Sequence, residues 1–560
     1  MRIVRASLTT PSALLALGTM LLFVFLVLFR NRINLPCRRI LCFLPLVLCL
    51  IHGVFYYFGK QWIYMLYWFG PMYLTALLIA LWQFIPSRGI IHGIATGCIL
   101  LLSVVNFLYI PTSSPVKTHL HNYSYQSWTD SFVSTVSSME KEYALSEWKG
   151  IDYDALLEEF VPRIRDAENR QDVTELGVIL LDFANRFYDG HVSLQSANRE
   201  IVTEVNKLTG KDYGLSLISL DTGEVVAVQV EPGSEAEANG IHTGTVVTHW
   251  NGTPVQEAKN SFRLPICPSV AQNEEPLRTI LLAGQGGDSV EVTFLADNGE
   301  QKTVLLHTIG DYTVRYESAW LKFLHVEQEE NFSYKMLSDT CGYLRIHAES
   351  LNALETAYAW ITGQAPFITK RVDKILTELQ AQGMESLIID IRNNTGGHPQ
   401  VSTAVASLFT KETYTYGWES DGEQTSPKEA LVLIGNGKWV DLPVVVLVNQ
   451  STVSAGDAMA DLLSKVPNVT LMGMTHSDCS YQTTGGVCFL AKGAYTIYYP
   501  VWREVDGNGV PIIDTDVSRE TRIPLDVKIP VDASAIQKIY SENPQDHELE
   551  YAMEWIESQN

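Results

Sequence analysis

Apolar and polar positions divide the chain into regions of different character. Up to about residue 110 the apolar residues come in four long runs, roughly 11–29, 40–58, 63–85 and 90–110. Each run is about 19–23 residues, enough for a helix to cross a hydrocarbon layer about 30 Å thick. A signal peptide has one short apolar region, so the four runs predict an all-α transmembrane region over 1–110. Residues 111–127, with Pro111, Ser113, Ser114 and Pro115, read as a polar linker. From about 128 the spacing becomes helical, as in ALLEEFVPRIRDA and ELGVILLDFANRFY, and 128–204 is expected to form a helical cap. Over 205–312 the pattern shortens to β-branched stretches between Gly, Asp and Asn turns: DYGLSLISL, EVVAVQV, GTVVTHWNG, SVEVTFLA and QKTVLLHTI. From 313 to 540 apolar strands (CGYLRIHA, SLIIDIRN, LPVVVLVN) alternate with helices (ITKRVDKILTELQAQG, VSTAVASLF, SAGDAMADLLSKV). Such strands between helices imply an α/β core whose sheet is covered on both faces. Residues 541–560 read as a closing helix.

Charge sharpens this division. The 560 residues carry 40 Lys/Arg and 63 Asp/Glu, a net charge of −23. The first 110 residues hold eight basic residues and no acid, so the remaining 450 are strongly acidic. An acidic body repels polynucleotides, so no nucleic-acid partner is expected. The acid-free first region argues equally against ion-coupled transport. Loops one and three of the apolar region carry Arg30, Arg32, Arg38, Arg39 and Arg88, against Arg2, Arg5 and Lys60 on the other side. The positive-inside rule then puts the large domain outside the cytoplasm. Tyr56, Tyr57, Trp62, Trp82 and Tyr109 near the run ends fit interfacial belts. Cys267, Cys341, Cys479 and Cys488 show no paired metal spacing, so neither a metal nor a cofactor is implied. Cys479 and Cys488 could instead close a short loop.

Three features could carry chemistry. In VVVLVNQSTVSAGDAMADLL a buried strand ends, a turn carries Ser454, and a helix starts at once. This exposes a hydroxyl above a helix N-terminus, where N–H groups hold developing negative charge, although a serine at a helix start is often only a cap. In LIIDIRNNTGGHP, Gly396 and Gly397 follow a strand and can present N–H donors at close approach. In RFYDGHVSL, His191 follows a helix in a turn marked by Asp189 and Gly190, and an imidazole is the natural base near neutral pH.

Order and context tie these features together. YDGHVSL, GYLRIHAES, LIIDIRNNTGG, PVVVLVNQSTVSAGDAMADLL and the tail NPQDHELEYAMEWI resemble the S41 serine peptidases, the C-terminal-processing and tricorn-core group. The resemblance implies a ClpP/crotonase-like α/β core over 313–540. By resemblance Ser454 is the nucleophile, and Ala455 with Gly396 or Gly397 supplies the oxyanion hole. Asp390 and Arg392 belong to the glycine-turn motif and would be structural. The run EPGSEAEANGIHTGTVV resembles a PDZ domain of the processing-protease kind, a mainly-β insertion. Its loop Tyr213–Gly214–Leu215 would then capture a peptide carboxylate. The family has two general bases. Processing proteases use a Lys about 25 residues after the Ser, but 466–491 here contains no Lys. Thr483–Gly486 would occupy the equivalent turn. The tricorn-like branch uses a cap histidine at the position of His191, preceded by a Ser where Gly190 stands here. Glu520 is the candidate acidic orienting residue, with Asp514 or Asp516 as alternatives; His398 and His476 are alternative bases. These expectations describe a membrane-anchored, extracytoplasmic peptidase acting on extended peptide segments. The alternative is an inactive peptide-binding scaffold or sensor on the same fold.

Overall fold

A computed structural model describes residues 11–30, 32–58, 62–86, 89–113, 119–261, 275–326, 331–420, 429–477, 480–514 and 523–559. The chain divides into two compact units, residues 1–122 with 351–365, and 123–350 with 366–560.

The first unit is helical. Helices α1 (Pro11–Phe29), α2 (Leu35–Phe58), α3 (Trp62–Trp82) and α4 (Ile90–Ser113) pack in a ring in which α1 touches α2 and α4, and α3 touches α2 and α4. A helix at Ala353–Thr362 packs on α4. The interior holds Phe23, Leu26, Cys42, Ile79, Trp82 and Ile99. Polar groups inside are paired: Asn106 Nδ2 donates to Thr75 Oγ1 at 2.6 Å. The outer surface is apolar, with Leu28, Ile40, Leu50 and Ile90 exposed, and such a surface calls for lipid or protein cover. Among the described residues one stretch, Leu35–Val54, is long and apolar enough to cross a membrane; Leu15–Phe29, Gly70–Trp82 and Ile90–Asn106 are apolar over shorter lengths.

The second unit begins with helices α5 (Trp128–Glu142), α6 (Tyr153–Arg170) and α7 (Val173–Ala184). Ser127, Asp152 and Asp172 cap them by accepting from Asp130, Ala155 and Glu175 N–H, satisfying donors that a helix start leaves open. Phe132, Phe160, Phe183 and Phe187 fill their centre, with Phe132 and Phe183 edge-to-face at 4.9 Å. Strand β1 (Ser193–Ser196) then leaves the cap.

A second layer is a sheet in the order β2 (Ser216–Ser219), β3 (Val225–Val228), β4 (Val246–Trp250), β5 (Ser289–Leu295) and β6 (Gln301–His307), every pair antiparallel. Helix α8 (Glu275–Leu282) packs on β2, which is the edge strand of this sheet.

The site is positioned by a third layer. Strands β7 (Phe332–Met336), β8 (Cys341–Ile346), β9 (Ser386–Asp390), β12 (Val444–Leu447), β13 (Val469–Gly473) and β16 (Val527–Lys528) form one sheet in that order, parallel except at the β7–β8 edge. Every residue of β8, β9 and β12 is buried, as expected of strands covered on both faces. Helices α9 (Pro366–Ala381), α10 (Pro399–Ala406), α11 (Ala455–Ser464) and α12 (His547–Gln559) flank these strands in sequence. A further sheet joins β10 (Thr413–Ser420), β11 (Glu429–Ile434), β14 (Thr483–Leu490) and β15 (Tyr495–Val505), with β1 paired to β15. The expected turn at Thr483–Gly486 is therefore the start of a strand, irregular in register at Thr484 and Gly486. Its glycine is needed there, because a Cβ on Gly486 would collide with the Tyr499 ring.

Candidate active site

Two loops meet at the C-terminal ends of β9 and β12. They are tied by four bonds: Asn393 N–H to Asn449 Oδ1 (3.0 Å), Thr452 Oγ1 to the Ile391 carbonyl (2.9 Å), Val453 N–H to the Asn394 carbonyl (2.9 Å) and Asn449 Nδ2 to Asn393 Oδ1 (3.1 Å). Ligand sites of open parallel sheets form at such strand ends.

Ser454 starts α11 with φ 63° and ψ −118°, a backbone state that a side chain rarely adopts and that surrounding structure must enforce. Hydrogen bonds from its own N–H enforce it. Its N–H lies 3.0 Å from Asp457 Oδ2 and 3.2 Å from the Ser480 carbonyl. Asp457, fully buried, also accepts from the Ser477 hydroxyl. Ser454 itself is half-buried, so its hydroxyl is reachable.

The glycine turn lies directly against it. Gly396 has φ 73°, and a Cβ there would sit 2.7 Å from Ser454 Cβ and 2.9 Å from Ala455 N. The two glycines differ in their hydrogen bonds. Gly396 N–H donates to Asn394 Oδ1 at 2.8 Å. Gly397 N–H and Ala455 N–H have no partner among the described residues. Of the three expected oxyanion donors, Gly396 is thus engaged, and Gly397 and Ala455 are open.

His191 comes from the other side. Its backbone N–H donates to Asp189 Oδ1 at 2.9 Å, and Tyr143 donates to Asp189 Oδ2 at 2.8 Å. Pairing of β1 with β15, Leu194 opposite Ile497, fixes the strand that follows. The ring Nδ1 lies 3.2 Å from Ser480 Oγ. Burial lowers the His191 pKa below the ordinary imidazole value, with Asp189 opposing the shift. Ser480 therefore touches both parties: its hydroxyl meets His191, and its carbonyl holds Ser454 N–H. No hydrogen bond joins His191 directly to Ser454 in this structure. Ser480 has φ 109°, a strained value for a serine. Nothing in its surrounding sequence, a loop without periodicity, marked it beforehand.

The acidic candidates fare differently. Glu520 and Asp516 lie outside the described residues. Asp514 is buried and accepts from Lys149 Nζ and, at 2.9 Å, from Trp148 Nε1, which ties it to the cap. Of the alternative bases, His398 stands at the start of α10, where burial lowers its pKa. Asp390 and Arg392 are fully buried, with Arg392 bonded to Asp390 (2.6 Å), Asp546 (2.7 Å) and Glu548 (3.0 Å). This network ties the glycine-turn strand to α12. In the antiparallel sheet, Gly214 N–H donates to Asp212 Oδ1 at 2.8 Å, and Arg315 clamps Asp212 (2.8 Å) and Glu231 (2.9 Å). Tyr213 and Leu215 are buried, and Tyr213 donates to the Gly287 carbonyl. Cys341 and Cys488 are buried free thiols, and Cys267 and Cys479 lie outside the described residues. No metal-binding cluster occurs among the described residues.

Residues 340–493, which hold both loops and Ser454, match the profile of peptidase family S41. This segment is similar to the core of the S41 peptidases. Curated relatives agree. The chain is 34% identical to a carboxyl-terminal-processing protease of Synechocystis sp. over 24% of this chain and 26% of that protein. It is 26% identical to a protein of the same name in Picosynechococcus sp. over 43% and 47%, and 24% identical to a tricorn protease homolog of Streptomyces coelicolor over 55% and 23%. The chain thus spans about a quarter to a half of the length of these relatives.

Proposed function

We propose that this chain hydrolyses peptide bonds by acyl transfer at Ser454. The observation that carries the reading is the packing of the glycine turn against Ser454 at the start of α11, with the N–H groups of the adjoining Gly397 and Ala455 open among the described residues. In this reading Ser454 Oγ attacks a peptide carbonyl, and the two N–H groups receive the developing oxyanion, a term that is usually large. His191 takes the hydroxyl proton and returns it to the leaving amine. The ring reaches Ser454 by exchanging its Ser480 contact, since catalytic hydrogen bonds are often loose until substrate binds. Asp189 holds the turn that carries the imidazole.

The antiparallel sheet is read as a PDZ module. Its edge strand β2 and the Tyr213–Gly214–Leu215 loop would take an extended segment as an added strand. With Gly214 N–H engaged by Asp212, capture rests more on strand addition than on a nest at this glycine. The first unit is read as a four-helix membrane anchor, supported by its apolar outer face and its acid-free sequence. Substrates would then be envelope or secreted proteins.

A non-catalytic peptide-binding scaffold is the second reading, favoured by the missing direct bond between His191 and Ser454. Cleavage of an unfolded protein substrate by wild type and Ser454→Ala separates them. Turnover that disappears with the serine supports the peptidase; none in either supports the scaffold, and equal turnover in both refutes Ser454 as the nucleophile.

A further inference from the structure

Beyond β8 the chain reaches Glu349, whose side chain is fully buried and has no part in the acyl-transfer reading. Its backbone holds the glycine turn. Glu349 N–H donates to the Gly396 carbonyl at 2.9 Å, and its carbonyl accepts from His398 N–H at 2.9 Å. A Cβ on Gly397 would sit 2.4 Å from that carbonyl. The side chain reaches α10, where Oε2 lies 2.6 Å from Ser402 Oγ and 3.2 Å from Ser402 N. Ser402 Oγ is in turn 3.1 Å from the Ala455 carbonyl. Glu349 Oε1 has no partner among the described residues.

Hydrogen counting constrains this chain of atoms. A serine hydroxyl has one hydrogen, and a carbonyl oxygen has none to give. Ser402 can donate to Glu349 or to the Ala455 carbonyl but not fully to both, so both contacts are hydrogen bonds at once only when the Glu349 carboxyl carries a hydrogen. Burial agrees, pushing the Glu349 carboxyl up to about 8 while the Ser402 hydroxyl and N–H pull it down less. No charged side chain contributes to that balance. The titratable groups on the elements around it are His347 on the same segment, His398 at the start of α10, whose pKa burial lowers, and Asp457 on α11 beyond Ser454.

We propose that Glu349 is a positioning residue, a neutral acid that clamps the glycine turn to the first turn of α11 through Ser402. The clamp fixes Gly397 and Ala455 relative to one another, and so fixes the spacing of the two open N–H groups. On ionisation the carboxylate draws the Ser402 hydrogen to itself, and the Ala455 carbonyl loses this side-chain donor while keeping its helical one. The inference rests on the Ser454 peptidase reading for its effect on turnover, but not for the protonation of Glu349.

The full chain in detergent is compared as wild type, Glu349→Ala, Glu349→Gln, Ser402→Ala and Ser454→Ala. Glu349→Ala is expected to lower kcat about 10- to 100-fold with KM little changed, less than the about 10²–10³ for deleting an oxyanion donor. Glu349→Gln, whose amide can donate to Ser402 Oγ, restores most of that loss. Wild-type kcat declines as pH rises past about 8, and Glu349→Gln shows no such decline. Ser402→Ala, which removes the link to Ala455, also loses kcat. Glu349→Gln as impaired as Glu349→Ala, or an alkaline limb unchanged by Glu349→Gln, overturns the proposal. Infrared difference spectra on alkaline pH jumps give a readout free of turnover. A protonated-carboxyl band that vanishes in wild type and Ser454→Ala but is missing in Glu349→Gln supports the neutral acid even if Ser454 is not a nucleophile. Absence of that band in wild type overturns the proposal.

Discussion

Replacing Gly396 by alanine tests the contact between the glycine turn and the nucleophile loop. Two effects act at once, and a second glycine separates them. Gly396 and Gly363 share φ +73°, where an L side chain costs about 1–2 kcal/mol. Around Gly363 a Cβ meets nothing within 4 Å, whereas at Gly396 it meets Val453 O at 2.6 Å, Ser454 Cβ at 2.7 Å and Ala455 N at 2.9 Å. Two of those three atoms are backbone, so no flexible side chain can yield. Relief requires the Ser454 loop to shift by several tenths of an ångström. Overpacking adds about 1–3 kcal/mol, and displacing a reacting group by about 1 Å can cost about 10²-fold in rate. Gly363→Ala should therefore lose about 1–2 kcal/mol of stability and keep its turnover. Gly396→Ala should lose more stability and about 10²-fold in kcat. The assay is steady-state peptide cleavage by both variants with matched denaturation curves. A Gly396→Ala enzyme as active as Gly363→Ala would refute the placement of Ser454 against this turn.

Two more outcomes follow from the site and its support. Because burial lowers the His191 pKa, and only a neutral imidazole can accept a proton, the acid limb of kcat/KM should fall below pH 6.5, the ordinary imidazole value; a limb at or above that pH contradicts His191 as the base. Arg392→Leu leaves Glu548 buried without its cation and Asp390 with only the longer Arg345 contact at 3.4 Å, so it should destabilise the unit by about 3–5 kcal/mol in urea titrations. Asp390 and Asp546 are held below the usual carboxylate range, chiefly by Arg392 against the opposing effect of burial. Their contribution to stability is present above about pH 4 and is lost as pH falls through their lowered values, a loss that Arg392→Leu should flatten.

The sequence was most informative where periodicity and chemistry coincide. The apolar runs around Leu344, Ile388 and Val445 announce strands buried on both faces, and β8, β9 and β12 are such strands. The abrupt change from VVVLVN to a helix at Ala455 likewise marks the end of β12. The sheet of β10, β11, β14 and β15 was not legible. Its strands mix tyrosine, tryptophan, glycine and charge because one side meets the cap and the register is broken at Thr415, Thr484 and Gly486. Without that sheet the Thr483–Gly486 stretch reads as a turn. Gly396 and Gly397 look equivalent as letters; the Asn394 side chain and the packing of Glu349 and Ser454 distinguish them. Ser480 and Glu349 escaped for a related reason. Each acts through long-range hydrogen bonds, 289 positions from His191 and 53 from Ser402, and such separations leave no local pattern.

The most direct measurement is the site of covalent capture by a serine-directed fluorophosphonate, located by peptide mapping of the full chain. The expected result is one adduct, on Ser454, absent from Ser454→Ala and formed far more slowly by His191→Ala. An adduct on another residue, or none at Ser454 in protein that cleaves peptides, would contradict the account.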